Sequence, residues 1–259
     1  MVVVHDRNNN DLTSRHASEE EFHNLKFKEH SHPAHYKFNP TARIFFKMKE
    51  MIGDITGKRI LEYGCGDGWV TAQLAAMGGI VDSFDISRKA VELTTLLLYR
   101  KNLGRACTVR KMPAEALEYP DNTFDIVFGF AILHHLDLTK AIPELHRVMK
   151  PSGCAYFAEP LGVNPAINLY RRLTPQHRTV DEHPLKCKDL LYYTRRFESF
   201  SHEEFYLTAL LPLSISYIPI LNRFTTSLLD RLIKLDTILL KKFPILGMLA
   251  WYTIITLKK

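Results

Sequence analysis

The chain has 259 residues, 46% of them hydrophobic and 24% charged, and a formal net charge of +6. That length and balance fit one large α/β domain, with or without a cap, and exclude a disordered, collagen-like or low-complexity chain. Four cysteines without a CxxC pair exclude a disulfide framework and a cysteine-based zinc or redox motif, so no metal site is expected. The basic residues are scattered among acids, which reads as solvated surface rather than a nucleic-acid track.

In chain order, "MVVVHDRNNNDLTSRH" is too short in apolar residues for a signal peptide. Residues 1–30 are weakly patterned, with "SEEEF" reading as a capped helix start at Ser18. An amphipathic helix is predicted over 41–52 and a strand over 58–63. Next come a helix over 69–78, a strand over 79–87 and a helix over 87–102 capped by Ser87. Strands over 106–111 and 124–130 follow, then a helix over 138–153 stopped by "KPSG", and a strand over 154–160. This alternation predicts a parallel sheet with helices on both faces. Residues 161–189 read as a turn-rich insertion dense in arginine and histidine. Beyond it, "RFESFSHEEFYLTAL" reads as a strand, 225–243 as an amphipathic helix, and 249–259 as a final strand returning to the sheet. "FYLTALLPLSISYIPIL" carries no charge, but its prolines speak for a greasy cap or a surface touching a membrane rather than a span.

The stretch "RILEYGCGDGW" carries the chemistry. Gly64, Gly66 and Gly68 follow a strand and open a helix, where glycine allows close backbone approach and the helix start offers unpaired N–H groups. The dinucleotide fingerprint G-x-G-x-x-G is not met: the third glycine comes one residue early, and Trp69 stands where a glycine is wanted. Asp85 ends the next strand, where an acid can accept hydrogen bonds from both hydroxyls of a ribose. Loop and acid together describe a nucleoside site without a pyrophosphate clamp.

"ILEYGCGDG", "FDIS", "PAEALEYPDNTFDIVFGFAILHHL" and "ELHRVMKPSG" resemble the successive motifs of class I S-adenosylmethionine-dependent methyltransferases. They are most similar to the small-molecule group that includes the ubiquinone and menaquinone methyltransferases. The resemblance covers roughly residues 55–160. It implies a Rossmann-like, seven-stranded, mostly parallel sheet with helices on both faces and a helical or loop cap after strand five. It also implies S-adenosyl-L-methionine as cofactor and an EC 2.1.1 activity in the cytoplasm. By this resemblance Glu62, Gly64, Cys65 and Gly66 hold the methionine end, Asp85 the ribose, and Ile86 the adenine face. Ala114 and Glu115 lie at the adenine edge, with Glu115 replacing an aspartate that relatives carry where this chain has Pro113. Gly129 and Phe130 line the sulfonium pocket.

The chain is then expected to divide into a lid segment over 1–50, a cofactor-binding core over 51–160, and a substrate cap with the closing helix and strands over 161–259. His134, His135 and Glu159 are candidate catalytic residues near the transferred methyl group, with Tyr170 and His183 in the insertion. His35 and Tyr36 are candidates to close over the cofactor. Arg171, Arg172 and Arg178 suit an anionic acceptor, and the apolar C-terminal region suits a lipid, prenyl or polyketide-like one. The same surface suits a homodimer interface or peripheral membrane contact. A nicotinamide dehydrogenase and a cofactor-binding scaffold without turnover are the rival readings.

Overall fold

The computed structural model describes residues 9–29, 40–173, 185, 195–210 and 222–259. Seven strands form one sheet in the order β3-β2-β1-β4-β5-β7-β6. They are β1 (Arg59–Tyr63), β2 (Ile80–Asp85), β3 (Cys107–Lys111), β4 (Phe124–Phe130), β5 (Met149–Pro160), β6 (Ser199–Phe205) and β7 (Tyr252–Lys258). The first five pair in parallel, and β7 runs antiparallel between β5 and β6. The architecture is the expected Rossmann-like α/β sheet. The order in which strands are added to the sheet reverses between β1 and β4, which puts the ligand crevice at the carboxyl ends of those strands.

The helices are α1 (Asn9–Glu29), α2 (Pro40–Ile52), α3 (Trp69–Ala76), α4 (Arg88–Arg100), α5 (Leu138–Val148), α6 (Pro165–Leu173) and α7 (Asn222–Lys242). Side chains alternate across the sheet, so each strand feeds two cores. Leu61 and Tyr63 of β1, Phe124 and Val127 of β4 and Ile255 of β7 pack with Ile142 and Leu145 of α5 on one face. Ile60, Ile126, Phe128 and Ile254 pack with Ile44, Phe45 and Met48 of α2 and Leu74 of α3 on the other. Helix α2 is therefore a structural layer of the core, although the sequence placed it in a lid segment.

Two boundaries differ from the sequence reading. Ser18 does not cap a helix: α1 already runs from Asn9, and Ser18 is an exposed residue in its middle. The "KPSG" segment lies inside β5, because Met149 pairs with Phe124 and a register irregularity between Phe124 and Ile126 lets the strand continue. Ser87 caps α4 as expected, its hydroxyl accepting from the Ala90 N–H. Most of the uncharged Phe205–Leu221 stretch lies outside the described residues, and among the described residues no helix is long and apolar enough to cross a membrane.

Candidate active site

The turn after β1 is shaped by backbone conformations that side chains resist. Gly64, Gly66 and Gly68 all have positive φ, at 73°, 54° and 83°. The third serves packing as well: a Cβ on Gly68 would stand 2.8 Å from Thr94 Cα, so any side chain there would push α4 away. Neighbouring bonds lock the turn, with Cys65 N–H donating to the Phe84 carbonyl and Thr94 Oγ1 donating to the Gly66 carbonyl.

Two acids flank this turn. Asp85, at the end of β2, accepts from Gly66 N–H at 3.0 Å and Ser87 N–H at 2.8 Å, one bond to each oxygen. A carboxylate has about four acceptor sites, so each oxygen keeps capacity for a ligand hydroxyl. Burial pushes its pKa up, against the pull of the Ser87 and Gly66 N–H groups. Glu62 alternates onto the same face as Ile60, an apolar environment, and is 2% exposed. Thr71 Oγ1 donates to its Oε2 at 2.5 Å. Burial raises its pKa from 4.5 to about 8, aided by the charges of Asp85 and Asp67 and opposed by the Thr71 bond. A neutral, buried acid is primed to ionise when a cation arrives.

Each acid opens on its own cavity. A cavity of about 230 Å³ is lined by Asp85, Ile86, Met112, Ala114 and Glu115 on the sheet side. A second, of about 290 Å³, is lined by Glu62, Cys65, Asp67, Trp69 and Tyr252, with Ala42 and Phe45 of α2. Gly64, Gly66, Phe130 and Ala131 line both, so the cavities meet between the glycine turn and the end of β4. Ala131 holds φ 54°, a conformation a non-glycine residue rarely adopts, at that junction.

The end of β4 departs from expectation at three residues. Gly129 is buried beneath Phe157, whose Cδ1 would lie 2.3 Å from a Cβ there, and Phe130 and Ala131 line the cavities instead. The alternation of the strand turns Gly129 toward the core. Glu159 is fully buried and holds the turn after β4: one oxygen accepts from Ile132 and Leu133 N–H, and the other lies 2.7 Å from His134 Nδ1. His134 is 6% exposed and bound into that turn. Both are positioned as structural supports, and among the described residues neither lines either cavity. His135, one residue on, does line the first cavity, and burial pushes its imidazole below the ordinary 6.5, so it is neutral at pH 7. Of the three candidates at these strand ends it is the one that the geometry brings to a cavity.

Glu115 reaches the first cavity with both oxygens engaged. Oε1 accepts from Asp137 N–H at 2.9 Å, and Oε2 lies 3.1 Å from His16 Nε2. Tyr170 stands on α6, whereas His183, His35, Tyr36 and Arg178 lie outside the described residues.

The wall opposite the sheet comes from α1, which the sequence reading placed in the lid segment without naming a site residue on it. His16, Glu19, His23, Lys26 and Phe27 all line the first cavity. Arg15 donates to the His135 carbonyl, Asn24 Oδ1 accepts from Ser87 Oγ at 2.8 Å, and Glu20 pairs with Lys111 at 2.8 Å. The signal was a helical stripe at 16, 19, 20, 23 and 27. It is polar on its inward face, so a search for apolar periodicity misses it.

Residues 61–157 match the family described as Methyltransferase domain. The chain is 33% identical over 124 residues to the ubiquinone biosynthesis O-methyltransferase of Nitrosomonas europaea, covering 47% of this chain and 51% of that protein. It is 30% identical over 115 residues to the 27-O-demethylrifamycin SV methyltransferase of Amycolatopsis mediterranei, covering 44% and 42%. These matches therefore span about half the length of the curated relatives. A structure of Haemonchus contortus phosphoethanolamine N-methyltransferase 2, with phosphomonomethylethanolamine and S-adenosylhomocysteine, superposes with a TM-score of 0.61 at 18% identity. It covers 86% of this chain and 52% of that one, a likeness of fold.

Proposed function

We propose that this protein is an S-adenosylmethionine-dependent methyltransferase acting on a small-molecule acceptor. The observation that carries the reading is the pair of buried acids, Glu62 and Asp85, on two cavities that share the glycine turn. A ligand with a ribose at one end and an α-ammonium at the other fits that pair of acceptors. Asp85 keeps acceptor capacity for a diol, and Ile86, Met112 and Ala114 offer an apolar slot for adenine. Glu62 offers a carboxylate whose ionisation a ligand ammonium would restore. When bound, the cofactor supplies an activated methyl group on a sulfonium, so the protein's work is chiefly alignment. Phe130 and Ala131 border the junction where an acceptor would meet it.

For the acceptor, we infer an amphiphile with an anionic group. Helix α6 follows the carboxyl end of β5 and carries Arg171 and Arg172 beside Leu169 and Leu173, which are 59% and 72% exposed. Arginine forks suit carboxylate or phosphate, and the leucines suit a hydrocarbon portion.

The test is calorimetric titration of wild type and Asp85→Asn with S-adenosylmethionine and S-adenosylhomocysteine. Wild type should bind both, and the substitution should weaken binding about ten- to hundredfold, as loss of a charged acceptor predicts. No binding to wild type sinks the reading. Binding without methyl transfer to any anionic amphiphile or neutral acceptor favours a scaffold.

A further inference from the structure

Methyl transfer leaves one cluster in the cavity wall without a task. Glu19 and His23 stand one helical turn apart on α1, and His135 meets them from the turn after β4. We propose that Glu19, His23 and His135 bind a single divalent transition-metal cation, zinc foremost, that clips α1 to the turn after β4. Nothing in the sequence hints at a metal, because its cysteines carry no ligand spacing and His135 lies far along the chain from Glu19 and His23.

The distances suit a metal polygon as well as the ion pairs that these groups make without one. Glu19 Oε2 lies 3.3 Å from His135 Nδ1 and 3.4 Å from His23 Nε2. Charge-assisted N–H···O bonds close to about 2.7–2.9 Å. Ligands held about 2.0–2.1 Å from a tetrahedral zinc stand about 3.4 Å from one another, the separation seen here. All three ligand atoms lie within 4.8 Å of each other, so the remaining edge closes with a small side-chain movement.

Chemistry and setting agree. Two imidazoles and one carboxylate suit zinc and its neighbours, whereas calcium and magnesium want all-oxygen sets. Glu19 is 4% exposed, and the cluster is framed by the Arg15 bond to the His135 carbonyl and by the His134 ring, 4.2 Å from that of His135. Asp85 and Glu115 line the same cavity and favour a cation there; Lys26 opposes them. The three ligands face that cavity, so a fourth position is open to water or to an oxygen of the occupant.

The experiment uses the full, untagged chain, stripped of metal and titrated with zinc against a chromophoric chelator. Wild type should bind one equivalent with micromolar affinity or tighter, and Glu19→Gln and His23→Ala should each weaken it at least tenfold. Glu19→Gln is nearly isosteric and preserves the helix if His23→Ala does not fold. His202→Ala, at a surface histidine of β6, should leave binding unchanged. Zinc should also slow hydrogen exchange over residues 9–29 in wild type but not in Glu19→Gln. The proposal is overturned if no equivalent binds, if Glu19→Gln binds as wild type does, or if zinc leaves exchange in α1 unchanged. None of these readouts requires methyl transfer, so this proposal and the functional one fail separately.

Discussion

The carboxyl ends of β1 and β2 and the carboxyl ends of β4 and β5 look alike in sequence, each presenting an acid beside the crevice, yet they do different work. Asp85 and Glu62 sit on cavities, each with acceptor capacity left for a ligand. Glu159 divides its oxygens among Ile132, Leu133 and His134, and thereby shapes the turn that carries Ala131 and His135. One pair of strands holds acids that line the cavities, and the other holds an acid that shapes the turn beside them. An acid at a strand end is therefore expected to be buried and bonded, and its neighbours decide to whom.

The largest expected effect breaks the scaffold side. Glu159→Ala leaves two N–H groups and a buried imidazole without their acceptor, which should cost about 3–5 kcal/mol in urea unfolding. A loss below about 1 kcal/mol would return Glu159 to the ligand-facing class.

The next test reads the ligand side through pH. Glu62 keeps its proton up to about 8 when folded, but ionises near 4.5 when unfolded. Between those values the unfolded state holds fewer protons, so this group's contribution to stability is full below the window. It declines as pH rises, by at most about 1.4 kcal/mol per pH unit. The stability difference between wild type and Glu62→Gln should therefore slope with pH in that window. A flat difference would mean that Glu62 is ionised in the free protein.

The smallest effect separates Gly129 from the cavity. Gly129→Ala drives a methyl into Phe157 and should cost about 1–3 kcal/mol. Cofactor affinity of the folded fraction should stay within about twofold, since Phe130 and Ala131 form the lining. A selective loss of affinity at unchanged stability would show Gly129 to be part of the pocket after all.

Much of the fold was legible because its signals are local. The glycines at 64, 66 and 68, Ser87 as a cap, and the alternation from 58 to 160 place strands and helices without knowledge of their partners. Asp85 and Glu62 were legible for the same reason, lying next to the turn they serve. The lining residues of α1 were not, because its inward face carries Arg15, His16, Glu19 and His23, and a polar face is indistinguishable from a solvated one until something is packed against it. His134, His135 and Glu159 were found as a group but not sorted.

By itself, then, the sequence determined the order and type of the elements, the glycine turn and the acids beside it, since each follows from backbone conformation and from periodicities over a few residues. The tertiary structure decided which of two adjacent histidines faces the cavity, that Glu159 supports a turn, that Gly129 lies under Phe157, and that α1 closes the wall. Those outcomes rest on contacts between residues far apart in the chain, as from Arg15 to His135 or His16 to Glu115. Spacing along a sequence carries no record of such contacts; only burial and geometry assign them.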